Sequence, residues 1–231
     1  MKLIDNFLEV LYPRDLTCVL CGDESDHELC DICKGSLQFN IGSVCRFCGR
    51  MIMKSDYEVC HHCKGIKRYY DRGLSVTVYD ELSKKLLFNL KYHDKRYISH
   101  TIAKYMLDYI VRSDIDIDFD VIVPVPLHTE RYKSRGYNQA ELICNHLSYL
   151  SGLPISKALE RRKHTKPLNK LTADERLVVL HEAFELSSKV EGNIILVDDI
   201  FTTGSTLNAC SKVLKESGAG YILIITFAVG E

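Results

Sequence analysis

The stretch "NIILVDDIFTTGST", residues 193–206, decides how the rest of the chain is read. Asn193 to Val197 form a largely apolar run of strand type, and two adjacent carboxylates, Asp198 and Asp199, follow it directly. Like charges side by side repel unless a cation or a set of hydroxyl groups meets them. Thr202, Thr203, Gly204, Ser205 and Thr206 come next and lead into a helical pattern over 206–217 that Gly218 closes. Backbone N–H groups of such a loop, with a helix N-terminus behind them, make an anion site, and glycine lets the backbone come close. The hydroxyls add donors for phosphate oxygens without adding charge. Two carboxylates beside a phosphate cradle suit a ligand with vicinal hydroxyls next to its phosphate, and ribose 5-phosphate is of that kind. An ordinary N-cap by Ser205 or Thr206 accounts for the hydroxyls but leaves the paired carboxylates unexplained.

Working outward, the pattern on both sides of this stretch alternates strand and helix. "VIVPVP" at 121–126 reads as a short buried strand, residues 136–150 as a helix, 153–159 as a further strand and "YILIITFAV" at 221–229 as the last. Residues 82–111 carry apolar side chains at helical spacing, broken near Asp94. Continuous apolar strands separated by helices predict an α/β fold, a parallel sheet covered by helices on both faces. Ligands in such folds sit at the carboxyl ends of the strands, where Asp198 and Asp199 lie.

Upstream of residue 65 the composition changes. Eight of the ten cysteines lie in four pairs, "CVLC" (Cys18, Cys21), "CDIC" (Cys30, Cys33), "CRFC" (Cys45, Cys48) and "CHHC" (Cys60, Cys63). Two thiolates spaced this way turn tightly around one tetrahedral zinc, and two pairs complete a site. Four pairs predict two structural Zn2+ sites; sequential ribbons need the shorter loops, though the spacing also admits interleaving. Cys144 and Cys210 fall on helical stretches and read as packing, and His27, His61 and His62 as bystanders to the metal. The chain thus divides into an N-terminal helix and double zinc-ribbon module over 1–65 and an α/β domain over 66–231.

The 231 residues suit one sizeable domain and a small module, and a formal charge of −1 excludes a global pull toward nucleic acid or membrane. Leu3, Ile4, Phe7, Leu8 and Leu11 recur at helical spacing, but Asp5 and Glu9 interrupt them and no small-residue cleavage site follows. The expectation is an amphipathic helix on a soluble, cytoplasmic protein with no membrane insertion, since no apolar run nears the roughly 18 residues of a span.

"IILVDDIFTTGST" resembles the ribose-phosphate motif of type I phosphoribosyltransferases. With the four cysteine pairs, "LKY" (90–92), "PVPLH" (124–128) and "RGYNQAEL" (135–142), nearly the whole chain is similar to the competence protein F (ComF) family of natural transformation proteins. The resemblance implies a type I phosphoribosyltransferase-like sheet that binds phosphoribosyl pyrophosphate with Mg2+. Asp198 and Asp199 would then meet the ribose hydroxyls as the catalytic pair, and Thr202 to Thr206 would hold the 5-phosphate. His128, Arg131 and Arg135 would lie near the pyrophosphate. It also implies a closing loop at "RRKHTKPLNK" (161–170), for which a solvated linker is the equal alternative; Asn169 and Val179 depart from the family's usual residues there. Thr202 stands where purine-salvage relatives carry a third acid that handles the base. The function expected is phosphoribosyl pyrophosphate binding in natural transformation, in handling incoming single-stranded DNA alongside other transformation proteins. Three readings compete: phosphoribosyl transfer to an acceptor, a non-catalytic sensor of the ligand, and a single-stranded DNA-binding module.

Overall fold

The computed structural model describes residues 17–53, 58–93, 95–161 and 183–230. The expected N-terminal helix, and the basic segment beyond Arg161, lie outside them. In chain order the elements are α1 (Asp31–Ser36), β1 (Arg72–Val78), α2 (Glu81–Tyr92), α3 (Ile98–Val111), β2 (Val121–Pro124), α4 (Thr129–Arg135), α5 (Gln139–Ser151), β3 (Leu159–Arg161), β4 (Phe184–Leu186), β5 (Gly192–Phe201), α6 (Ser205–Glu216) and β6 (Ala219–Val229).

Four strands form one parallel sheet in the order β1-β6-β5-β2, and β3 pairs with β4 as a separate antiparallel hairpin. Successive residues of β5 serve opposite faces, which is why its apolar run is continuous. Ile195 and Val197 join the core that holds Leu86, Leu87 and Leu90 of α2, Ile102 and Met106 of α3, and Ile143 and Leu147 of α5. Ile194 and Leu196 join the opposite core, with Leu207, Cys210 and Leu214 of α6 and the β3–β4 hairpin. Helices therefore cover both faces of the parallel sheet, as expected.

The cysteine module straddles one edge of that sheet. Cys18, Val19 and Leu20 belong to the first core, whereas Cys45, Cys48, Cys60 and Cys63 belong to the second. Between them the chain runs along the outer edge of β1: Val78 N–H donates to Gln38 O at 2.8 Å, Asn40 N–H to Val76 O at 2.9 Å, and Gly73 N–H to Arg46 O at 2.8 Å. An exposed edge strand is thereby covered. The fit at two glycines is backbone against backbone. A Cβ on Gly73 would stand 2.0 Å from Phe47 O, and one on Gly49, at φ +69°, would stand 2.2 Å from Ser75 N.

Several expectations are corrected. β5 does not stop before the doublet but runs through it to Phe201, because β6 continues alongside and pairs Asp198 with Thr226 and Ile200 with Ala228. Residues 153–159 supply only the bridge of Ile155 to Ile122 before the short β3 begins at Leu159. Residues 129–135, to which the sequence reading gave no element, form a short helix that His128 caps. β1 carried no strand signal in the sequence reading. Its Ser75 and Thr77 are fully buried, with hydroxyls bonded to Cys48 O at 2.8 Å and to Phe227 O at 2.9 Å. Buried polar side chains are tolerated when bonded in this way.

Candidate functional site

The doublet lies at the carboxyl end of a central strand, and its two members have different surroundings. Asp199 is 7% exposed and forms an ion pair with Lys91 Nζ from the last turn of α2. Asp198 Oδ1 accepts from Asp199 N–H at 2.9 Å. Burial and the neighbouring Asp199 charge push the Asp198 carboxyl well above the ordinary carboxylate range. Among the described residues one cation, Lys91, thus serves both carboxylates. A group with a raised folded-state value costs stability once the unfolded chain ionises, so the cost grows as pH rises from about 4, the ordinary Asp value, to the raised one. Asp198→Asn should therefore melt higher than the unsubstituted protein at neutral pH. Melting curves of the two between about pH 5 and 8 should separate upward with pH; a gap that narrows upward would contradict this account.

The loop after β5 has the form of an anion cradle. Gly204, at φ +73°, stands at the N-cap of α6, which has no side-chain cap. Ser205 and Thr206 are therefore not the cap; the Ser205 N–H donates to Thr203 Oγ1 at 3.3 Å, and Gly204 itself offers the N–H groups behind it no side-chain acceptor. Thr203 Oγ1 and Ser205 Oγ are 2.8 Å apart, and Thr202 and Thr203 are exposed. A Cβ at position 204 would meet the Phe201 ring at 2.3 Å and Arg68 Nη1 at 2.9 Å, so glycine is required by space as well as by conformation. Arg68 lies across the loop's flank: its Nη2 donates to Thr203 O at 3.2 Å, and its guanidinium stacks over Phe201, 5.7 Å from the ring centre.

Three separate motifs meet behind this site. The Tyr137 hydroxyl donates to Leu90 O, one residue from Lys91. Asn138 caps α5 through Ala140 N–H at 3.0 Å, and its side-chain amide donates to Val125 O at 2.9 Å, fixing the end of β2. The Arg135 guanidinium stacks on the Tyr92 ring at 5.1 Å. "RGYNQ" is thus the brace that sets "LKY" and "PVPLH" relative to each other. His128 Nδ1 accepts from Glu130 N–H at 3.3 Å as the cap of α4, which leaves Nε2 for other partners. Arg131, exposed on α4, and the half-buried Arg161 repel each other; burial and the Arg131 charge lower the affinity of Arg161 for its proton. Beside them a cleft of about 820 Å³ is lined by Pro126, Thr129, Asn138, Glu141, Lys157 and Arg161.

The eight paired cysteines gather as two sequential groups, Cys18, Cys21, Cys30 and Cys33, and Cys45, Cys48, Cys60 and Cys63, with sulfur atoms in each group within 4.8 Å of one another. Tetrahedral zinc with bonds of about 2.3 Å sets sulfur atoms about 3.8 Å apart. The Cys21–Cys30 and Cys48–Cys60 separations are 3.8 and 3.6 Å. Both groups fit a structural zinc. His27, His61 and His62 belong to neither, and Cys144 and Cys210 are fully buried packing.

Residues 7–64 match the family described as double zinc ribbon domain. Over 218 residues the chain is 32% identical to competence protein F of Haemophilus influenzae, covering 84% of this chain and 94% of that protein. The chain belongs to the competence protein F family. Competence protein ComFC of Bacillus subtilis is 31% identical over 224 residues, 94% of this chain and 90% of that one. Among solved structures, an adenine phosphoribosyltransferase aligns with 63% of this chain and 75% of its own, at 17% identity and a TM-score of 0.38.

Two residues of this competence protein F relative emerge only from the structure. Lys91 sits in the quoted motif "LKY", but its pairing with Asp199 spans 108 positions and leaves no local trace. Arg68 follows the last cysteine pair by five positions, and its donation to Cys63 Sγ at 3.8 Å as well as to Thr203 O ties the second ribbon to the 202–206 loop. No helix among the described residues is long and apolar enough to cross a membrane.

Proposed function

We propose that the protein binds phosphoribosyl pyrophosphate at the doublet and the 202–206 loop and serves in the handling of single-stranded DNA during natural transformation. The observation that carries the ligand reading is the junction of β5 and α6. There an uncapped helix N-terminus behind Gly204 lies beside Asp198 and Asp199 on one strand end. Phosphate suits the first and vicinal hydroxyls the second. Arg131, Arg135 and His128 Nε2 would face the pyrophosphate across the cleft. Magnesium fits this donor set, because it binds chiefly through substrate phosphates and keeps waters, needing few protein ligands. The transformation role follows from the family, whose members include proteins named for competence. Zinc thiolates suit a reducing compartment, and we assign the protein to the cytoplasm.

Calorimetric titration with phosphoribosyl pyrophosphate and magnesium chloride tests the ligand reading. Asp199→Asn keeps shape but removes a charged acceptor, and such hydrogen bonds are worth about 1.5–3 kcal/mol. Affinity should fall about tenfold or more. Equal heats for the two proteins would remove the ribose assignment. Pyrophosphate released on adding candidate bases separates a transferase from a ligand sensor.

A further inference from the structure

The outer face of α2 is unusually aromatic for a solvated surface. Phe88 is 51% exposed, Tyr92 63% and, just beyond the helix, Tyr97 57%. Phe88 and Tyr92 are one helical turn apart, with ring centres separated by 4.9 Å, and the His93 ring centre lies 5.3 Å from that of Phe88. The rings are therefore clustered rather than scattered, and clustering is what distinguishes a recognition patch from ordinary exposed apolar residues. Their surroundings are cationic. Between Glu81 and Tyr97 the sequence has five Lys or Arg against two acids, and Lys84, Lys85, Lys95 and Arg96 are exposed. The patch also adjoins the candidate site, since Lys91 of the same turn holds Asp199 and Arg135 stacks on Tyr92.

Exposed rings interleaved with cations are the combination by which proteins hold single strands without reading sequence: every base has a face to stack on, and cations track the phosphates. An acidic partner would use the cations but not the rings, and an apolar one would not call for the cations. We propose that Phe88, Tyr92 and His93, flanked by Lys85 and Lys95, form a stacking platform for the bases of single-stranded nucleic acid beside the ribose-phosphate site. This rests on the DNA-handling half of the proposed function and not on the ligand half.

The test uses the full zinc-loaded chain and a fluorescein-labelled strand of about 16 thymidines, the upper size of one such site. Stacking on one ring accounts for about a tenfold change in affinity. Phe88→Ala should therefore bind the strand about tenfold more weakly, with Phe88→Trp restoring it, while zinc content, unfolding temperature and phosphoribosyl pyrophosphate heats stay as in the parent. Lys85→Ala should instead lower the slope of log affinity against log salt by about 0.7, the value for one single-strand phosphate contact. An abasic strand with the same number of phosphates should bind weakly, and equally to parent and Phe88→Ala. Equal thymidine binding by Phe88→Ala, or abasic binding as tight as thymidine binding, would overturn the platform. So would a Phe88→Ala protein that keeps oligonucleotide affinity but loses self-association in sedimentation, because the patch would then be a contact between copies. If the strand binds through Phe88 while phosphoribosyl pyrophosphate gives no heat, the platform stands and the ligand reading alone falls.

Discussion

Taking the metal out of the second ribbon should unfold far more than the ribbon. Structural zinc contributes about 10–16 kcal/mol in isolated finger peptides, against about 5–15 kcal/mol for the whole stability of a typical domain. Here the four sulfurs lie inside one of the two cores of the sheet, with Cys45, Cys48 and Cys63 each no more than 2% exposed. The same segment supplies the outer partners of β1: Arg46 O accepts from Gly73 N–H and Cys48 O from the Ser75 hydroxyl. Loss of zinc would free four thiolates in a packed interior, uncover the edge of β1 and release Arg68 from Cys63 Sγ. Cys63→Ser, or exhaustive chelation, should give a protein with a lowered or absent cooperative melt, rising light scatter and no heat with phosphoribosyl pyrophosphate. Amides of Asn40, Gly73 and Val78, which donate across this contact, should lose protection from hydrogen exchange. A metal-free protein with the parent's melting curve would refute the integration of ribbon and sheet described above.

The second large effect concerns Lys91. Removing one partner of a largely buried ion pair costs about 3–5 kcal/mol, because the remaining charge is left desolvated. Lys91 keeps 22% of its side-chain surface and Asp199 10%, so about 2–4 kcal/mol is expected for Lys91→Met after some relief by solvent. The variant should melt lower at neutral pH. Asp199 would be left with no ion-pair partner among the described residues, next to an Asp198 whose value is already raised. Lys91→Met combined with Asp199→Leu should recover much of the stability, since replacing both members with apolar groups removes the stranded charge. Additive losses in that double-substitution cycle would show that the pair is not coupled. The ligand should feel the change too. In the free protein Lys91 pairs with Asp199, so if Asp199 accepts from ribose hydroxyls as proposed, Lys91 has to share or leave that oxygen on binding, and the phosphoribosyl pyrophosphate titration of Lys91→Met reports which.

Much of this was legible in the sequence because the signals are local. A Cys-x-x-Cys pair must turn about one metal, so eight positions announced two sites before any contact was known. An apolar run, two carboxylates and a Thr-Thr-Gly-Ser-Thr loop fix a strand, its end and a helix start within fourteen residues, and Gly204 at φ +73° is where only glycine fits. The parallel sheet followed from strands apolar on both faces, as Ile194 to Val197 demonstrate.

What only the tertiary structure decided depends on distant partners. β1 was illegible because Ser75 and Thr77 look solvent-facing until Cys48 O, Thr226 and Phe227 O arrive to bond them. β5 passes its charged doublet because β6 runs on beside it, a pairing that strand propensity cannot foresee. Sequence spacing allowed ribbons to be sequential or interleaved, and the loops packed against two opposite sheet faces chose the first. Nor could periodicity say that Phe88 and Tyr92 stay uncovered while Leu86, Leu87 and Leu90 of the same helix are buried against the sheet, or that Lys91 turns inward to Asp199. A helix pattern gives the angle between faces, but which face meets a core, and which charge meets which, is set by the packing of elements far apart in the chain.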